Sequence, residues 1–210
     1  MKVTSAKFEV SAPDLESCPD WGMPEFALIG RSNVGKSSLI NMLTERRELA
    51  KVSDTPGKTQ LINFFVIYGD WCLVDLPGYG YADVARHRRL EFNAVVADFL
   101  SERENLKCVF VLIDSRLPPQ PIDLEFLRWL EGEAVPFALI FTKTDKQSAA
   151  KGQAAIEAFK KALGRSPADL PEIFASSAKS RAGRPEILSC VGRILARRNQ
   201  GDAAMNPAGA

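Results

Sequence analysis

Histidine occurs once in this 210-residue chain and cysteine four times, with no CxxC spacing among Cys18, Cys72, Cys108 and Cys190. The spacings that announce zinc or dithiol redox sites are therefore missing, and His87, without ligand partners, is given no catalytic or metal role. Cys72, Cys108 and Cys190 lie in apolar segments and read as buried free thiols, as expected in a reducing cytosol. Charge of one sign is also lacking: 27 Lys and Arg against 26 Asp and Glu leave +1. No global basic field marks a nucleic-acid binder, so any such contact must come from a local patch. No apolar run approaches the roughly 20 residues of a membrane helix, and no continuous apolar stretch precedes Pro13 as a signal peptide would need. The expectation is a soluble, cytoplasmic protein without membrane or DNA partners.

Short apolar runs alternate along the chain with longer segments of helical period. Strands are expected at 26–29, 61–68, 71–74, 109–113, 137–141 and 172–175, and helices at 36–43, 88–101, 122–131, 150–163 and 185–198. Several strands are apolar on consecutive residues, which suits a sheet covered by helices on both faces. Gly69-Asp70 reads as a hairpin connection, so one strand should run antiparallel in an otherwise parallel six-stranded α/β sheet. Residues 1–24, with Pro13, Pro19 and Pro24, read as an N-terminal extension in which Phe8 and Val10 suggest a short strand. Residues 25–198 form the single domain, and 199–210 read as a flexible tail.

Gly30-Arg31-Ser32-Asn33-Val34-Gly35-Lys36-Ser37 fits GxxxxGK[ST] between an apolar strand and a helix. In that setting backbone N–H groups and a helix N-terminus converge on phosphate oxygens. Lys36 is expected on the β- and γ-phosphates and the Ser37 hydroxyl on Mg²⁺. Asp75-Leu76-Pro77-Gly78 ends another apolar strand as DxxG. By itself this is more often a turn, but after a phosphate loop it places Asp75 near Mg²⁺, through water, and the Gly78 amide near a γ-phosphate. Between the two lies a polar segment in which a mobile threonine should complete the metal shell. Thr59 is the choice and Thr55 the runner-up.

The strand at 137–141 ends in Thr142-Lys143-Thr144-Asp145, a variant of [NT]KxD. Guanine presents N1–H and an exocyclic amine as adjacent donors, which one carboxylate accepts together, and adenine has no such pair. Asp145 is therefore the expected base discriminator, with Lys143 over the base plane and bridging to the phosphate loop. Thr142 is shorter than the more familiar asparagine and lacks an amide, so some of that residue's bracing role is expected to be weaker or differently made. Ser176-Ser177-Ala178 reads as a loop offering a backbone N–H, at Ala178, to guanine O6, although Ala175-Ser176-Ser177 matches nearly as well. These features disfavour an ATP-using P-loop kinase.

The phosphate loop, Thr55-Pro56-Gly57-Lys58-Thr59-Gln60-Leu61-Ile62-Asn63-Phe64-Phe65, Asp75-Leu76-Pro77-Gly78-Tyr79-Gly80-Tyr81-Ala82, Thr142-Lys143-Thr144-Asp145, and Ile113-Asp114-Ser115-Arg116 before Pro118 together resemble the EngB (YihA/YsxC) GTPases. The resemblance spans about residues 6 to 198. It implies a P-loop GTPase domain of the TrmE-Era class that serves as a switch in large (50S) ribosomal subunit assembly and is needed for normal cell division and septation. An interaction protein of the division apparatus with incidental hydrolysis is the alternative. By position, the resemblance implies Ser37 and Thr59 as Mg²⁺ ligands. It implies GTP or GDP contacts from the phosphate loop, from Gly57, Lys58, Thr59, Gln60 and Leu61, from Asp75, Leu76, Pro77 and Gly78, from Thr142 to Asp145, and from Ser176, Ser177 and Ala178. Lys36, Asp75, Gly78 and Asn33 are the residues expected to act in hydrolysis, Asn33 by helping to hold K⁺ as in related GTPases. Tyr79 stands where Ras-like proteins place a water-orienting glutamine, so intrinsic hydrolysis should be slow and partner-stimulated. The basic run Arg86-His87-Arg88-Arg89 would suit ribosomal RNA phosphates, and the protein is expected to be a monomer.

Overall fold

The computed structural model describes residues 1, 3–51, 61–79 and 94–205, with the backbone alone from 198 onward. Thr55, Gly57, Lys58, Thr59, Gln60, Tyr81, Ala82 and the basic run at 86–89 lie outside the described residues.

Seven strands form one sheet, ordered β1-β3-β4-β2-β5-β6-β7. They are β1 (Ala6–Ala12), β2 (Glu25–Gly30), β3 (Ile62–Ile67), β4 (Trp71–Asp75), β5 (Leu106–Asp114), β6 (Phe137–Thr142) and β7 (Ile173–Ala175). The helices are α1 (Lys36–Thr44), α2 (Ala94–Glu102), α3 (Pro121–Gly132), α4 (Ala149–Leu163) and α5 (Arg184–Met205). Strand β3 runs antiparallel to both of its neighbours, whereas β4, β2, β5, β6 and β7 pair in parallel.

The consecutive apolar residues are explained by two cores, one on each face of the sheet. Phe26 and Leu28 of β2 pack with Leu39, Ile40 and Leu43 of α1 and Ile187, Leu188 and Val191 of α5. Ala27 and Ile29, which alternate with them, face Val96 and Phe99 of α2, Phe126, Leu127 and Leu130 of α3, and Ile156 and Phe159 of α4. Side chains alternate across a strand, so a strand covered on both faces must be apolar at every position.

Beyond shifts of a few residues at strand ends, three features differ from the sequence reading. The sheet has seven strands rather than six, because β1 adds to the free edge of β3, where Ala12 pairs with Ile62 and joins the core. The hairpin turns on Tyr68 and Gly69, not Gly69 and Asp70: both have positive φ (56° and 77°), and the Asp70 N–H donates to the Ile67 carbonyl at 3.0 Å. Positive φ at both central residues is what matches a tight turn to the twist of its strands. Helix α5 continues to Met205, into the segment read as a tail. No proline lies between Pro185 and Pro207, and Ala203, Ala204 and Met205 are strong helix formers.

At the amino end of β2, Glu25 is almost fully buried and pairs with Arg103 at 2.7 Å. Arg103 also donates to the Pro19 carbonyl and lies over the rings of Phe64 and Phe99. Burial pushes the Glu25 carboxyl up, opposed by the Arg103 hydrogen bonds. The four cysteines are free and buried, and burial pushes the Cys72 and Cys108 thiols up to about 12. Among the described residues no helix is long and apolar enough to cross a membrane.

Candidate nucleotide-binding site

The chain leaves β2 on one side of the sheet and returns to β5 on the other, so the crevice beyond their carboxyl ends is the natural ligand position. Register brings the motifs to that one rim. Leu28 of β2 pairs with Asp75 at the end of β4, Gly30 with Leu112 of β5, Asp114 with Thr142, and Phe141 with Ala175. The phosphate loop, DxxG, Asp114, Thr142-Lys143 and the loop at 176–178 are thus neighbours, though far apart in sequence.

The phosphate loop is built for close backbone approach. Gly35, at φ 109°, is the N-cap of α1; no side chain caps this helix and its first turn carries no acid. Its leading N–H groups are therefore turned to the rim without a side-chain acceptor, the arrangement that favours an anion. Gly30 and Gly78 pack the loop against its neighbours: a Cβ on Gly30 would meet the Leu112 carbonyl oxygen at 2.7 Å, and one on Gly78 the Gly30 oxygen at 2.7 Å. An isolated bridge between Arg31 and Tyr79 joins the two loops further.

Lys36 and Asp75 meet at the centre. Lys36 Nζ lies 2.5 Å from Asp75 Oδ1 and donates to the Leu76 carbonyl at 2.7 Å. Asp75 is 4% exposed, and its Oδ1 accepts no directed hydrogen bond despite the ion pair. A buried carboxylate at the end of β4, and the hydroxyl of the part-buried Ser37 at the start of α1, are oxygen ligands of the kind that Mg²⁺ takes. Among the described residues no three His, Cys, Asp or Glu side chains cluster as a metal cage, so the ion would be held by few protein ligands together with phosphate oxygens, as Mg²⁺ usually is.

At the other end of the rim, Thr142 supplies the bracing that an asparagine would otherwise give. Its hydroxyl donates to the Val34 carbonyl at 2.6 Å, with the Ile113 carbonyl at 3.2 Å as a weaker acceptor. Lys143 Nζ donates to the Asn33 carbonyl at 2.5 Å and to Asp114 Oδ2 at 2.9 Å. Both Lys143 and Asn33 have left-handed φ, 60° and 61°. Such backbone costs roughly 1–3 kcal/mol per non-glycine residue and persists where surrounding contacts over-determine it. Asp145 is exposed, and the Ser177 hydroxyl donates to its Oδ1 at 2.7 Å, which lowers its pKa. Ser177 is buried, with its N–H donating to the Ala182 carbonyl. Both the N–H and the hydroxyl of Thr144 donate to the Ser176 carbonyl, locking the two loops together. Ala178 is exposed beside them.

Tyr79 faces the core. Its hydroxyl donates to Asp123 Oδ1 of α3 at 3.0 Å, and its ring lies 4.4 Å from that of Phe126. Burial pushes Asp123 up to about 6, against the Tyr79 hydrogen bond and the nearby Arg31 charge. Tyr79 therefore anchors the DxxG loop to α3.

The described site residues converge, from Gly30 through Ser37, Leu61, Asp75 through Gly78, Thr142 through Asp145, and Ser176 through Ala178. Two acids with clear partners at the site, Asp114 and Asp123, were given no role from sequence. Asp114 carried the same signal as Asp75, a carboxylate ending an apolar strand. Asp123 looked like an ordinary acid in a helix first turn.

A family model described as a 50S ribosome-binding GTPase matches residues 25–143. The chain is 49% identical to a probable GTP-binding protein EngB of Bacteroides fragilis over 194 residues, 92% of this chain and 96% of that one. It is 50% identical, with the same coverage, to the corresponding protein of Bacteroides thetaiotaomicron. Among solved structures, a probable GTP-binding protein engB aligns with a TM-score of 0.66 at 21% identity, covering 82% of this chain and 99% of that one. Era in complex with MgGDPNP and nucleotides 1506–1542 of 16S ribosomal RNA aligns with a TM-score of 0.61 at 22% identity, over 80% and 55% of the two chains. These structural likenesses establish the fold, that of an α/β P-loop GTPase. With half its residues identical to relatives over nearly their whole length, the chain belongs to the EngB family of GTP-binding proteins.

Proposed function

We propose that this protein is a Mg²⁺-dependent guanine-nucleotide switch that hydrolyses GTP slowly and binds the large ribosomal subunit during its assembly. On this reading its loss also disturbs cell division and septation. The observation that carries it is the joining of the phosphate loop to the base-reading strand: Thr142 and Lys143 clamp the Val34 and Asn33 carbonyls while Asp145 stands at the same rim.

In this reading the N–H groups of the phosphate loop and Lys36 hold the β- and γ-phosphates, and the Gly78 amide senses the γ-phosphate. Ser37 and Thr59, with Asp75 through water, would hold Mg²⁺, which would supply positive charge at the phosphate oxygens. Asp145 accepts from guanine N1–H and the exocyclic amine, and the Ala178 N–H meets O6. Slow hydrolysis is supported by Tyr79, whose hydroxyl is engaged with Asp123 and which lacks an amide to orient water. Asn33 at the tip of the phosphate loop is assigned to K⁺, which would stand in for an arginine finger. Single-turnover rates in K⁺ and Na⁺ buffers test that assignment, and equal rates in the two buffers, for wild type and Asn33→Asp alike, would remove K⁺ from the account. The run at 86–89 is assigned to ribosomal RNA phosphates on its charge alone.

Co-sedimentation with purified ribosomal subunits tests the switch. A GTP analogue should carry the protein into the large-subunit fraction and GDP should release it; equal behaviour in both states would reject nucleotide-gated binding.

A further inference from the structure

We infer that Asp114, locked by Arg116, is the positioning residue that sets the Lys143 side chain for the guanine base; this rests on the guanine reading above. Lysine has a long flexible stem and a rotatable ammonium, so one contact does not fix its path. Lys143 Nζ has two described partners on separate elements: the Asn33 carbonyl of the phosphate loop at 2.5 Å and Asp114 Oδ2 at the end of β5 at 2.9 Å. Together they stretch the stem across the rim between β6 and the phosphate loop.

Asp114 is suited to this because it is itself immobile. Its Oδ1 accepts from Arg116 Nε at 2.9 Å and from the Arg116 backbone N–H at 3.1 Å, and its Oδ2 accepts from Arg116 Nη2 at 2.7 Å. The fork of the guanidinium and the backbone donor hold both carboxylate oxygens, so Oδ2 presents a fixed acceptor to Lys143. Burial pushes the Asp114 pKa up, but the hydrogen bonds from Arg116 and Lys143 outweigh it and hold the group down at about 2. The acceptor is thus charged throughout the neutral range. The Arg116 side chain is 46% exposed, against 10% for that of Asp114. Charge pairing on the surface would not need a part-buried acid at the end of a central strand. The second cation on Oδ2, the Lys143 ammonium, accounts for its place there.

The test is a double-mutant cycle read by GDP affinity, using a fluorescent GDP analogue displaced by unlabelled GDP. Asp114→Asn should weaken GDP about 10-fold in the wild-type background and by less than about 2-fold in Lys143→Ala, because its effect passes through Lys143. Arg116→Ala leaves the carboxylate but frees it, and should weaken GDP about 3-fold, again only where Lys143 is present. This second variant keeps the inference testable if Asp114→Asn does not fold. Equal losses in both backgrounds would overturn the inference while leaving the guanine reading intact. Unchanged GDP affinity in Lys143→Ala would overturn both.

Discussion

Asp145 is exposed, so its reach toward a base depends on how its carboxylate is held, and the Ser177 hydroxyl holds it through one oxygen. Replacing that carboxylate with an amide exchanges one acceptor for a donor. Asp145→Asn should therefore weaken GDP by at least about 100-fold, two charge-assisted hydrogen bonds being at stake. It should improve binding of xanthosine diphosphate, whose C2 carbonyl accepts from the new amide. Competition titrations with the two nucleotides measure both effects. Asp123 makes a different prediction. Its pKa is raised to about 6, chiefly by burial, so between about pH 4 and 6 the folded protein keeps a proton that an unfolded aspartate has released. Stability from this group is present below about pH 4 and is lost as pH rises through 6. Asp123→Asn, which still accepts from Tyr79, should stabilise the protein by about 1–2 kcal/mol at pH 8 and by nothing near pH 4. Urea unfolding across that range would show it.

The strand ends and the loops they carry act as one element pair. Thr142 terminates β6 and ties it to the phosphate loop through a buried 2.6 Å hydrogen bond. Thr142→Val keeps the shape and removes the donor, leaving the Val34 carbonyl short of a partner. The expected cost is about 1–2 kcal/mol in unfolding free energy, with a matching loss of GDP affinity because the loop is no longer held open to the phosphates. Calorimetric titration and thermal unfolding of the same variant would separate the two. The phosphate loop and the apolar strands were legible in sequence because their chemistry is local, residing in spacing, glycine and a run of apolar residues. The partners of the Thr142 hydroxyl and the Asp114 carboxylate were not legible, because they lie on other elements of the rim. Only the order of β2, β5 and β6 brings them together. Tyr79 is similar: sequence shows that it is not glutamine, but its engagement with Asp123 depends on α3 joining the same core as Tyr79.

For the whole molecule, the N-terminal segment is part of the sheet. Strand β1 pairs with β3 along Ala6–Ala12, with one irregularity between Phe8 and Val10 that kinks the edge, as edge strands often are. The alternation there is weak, with Phe8 exposed against Phe65, which is why the sequence suggested a strand but left it outside the main sheet. Deleting residues 1–13 would uncover β3 and should lower the melting temperature by roughly 10 °C, from a loss of about 3 kcal/mol, with light scattering rising as the new edge self-associates. The central claim, however, concerns the rim of the sheet and the base it reads. Equilibrium competition of unlabelled GDP and ADP against a fluorescent GDP analogue, with Mg²⁺ present, tests it most directly. The account predicts that GDP displaces the probe at least about 100-fold more effectively than ADP, because only guanine offers Asp145 two donors; equal displacement by the two nucleotides would contradict it.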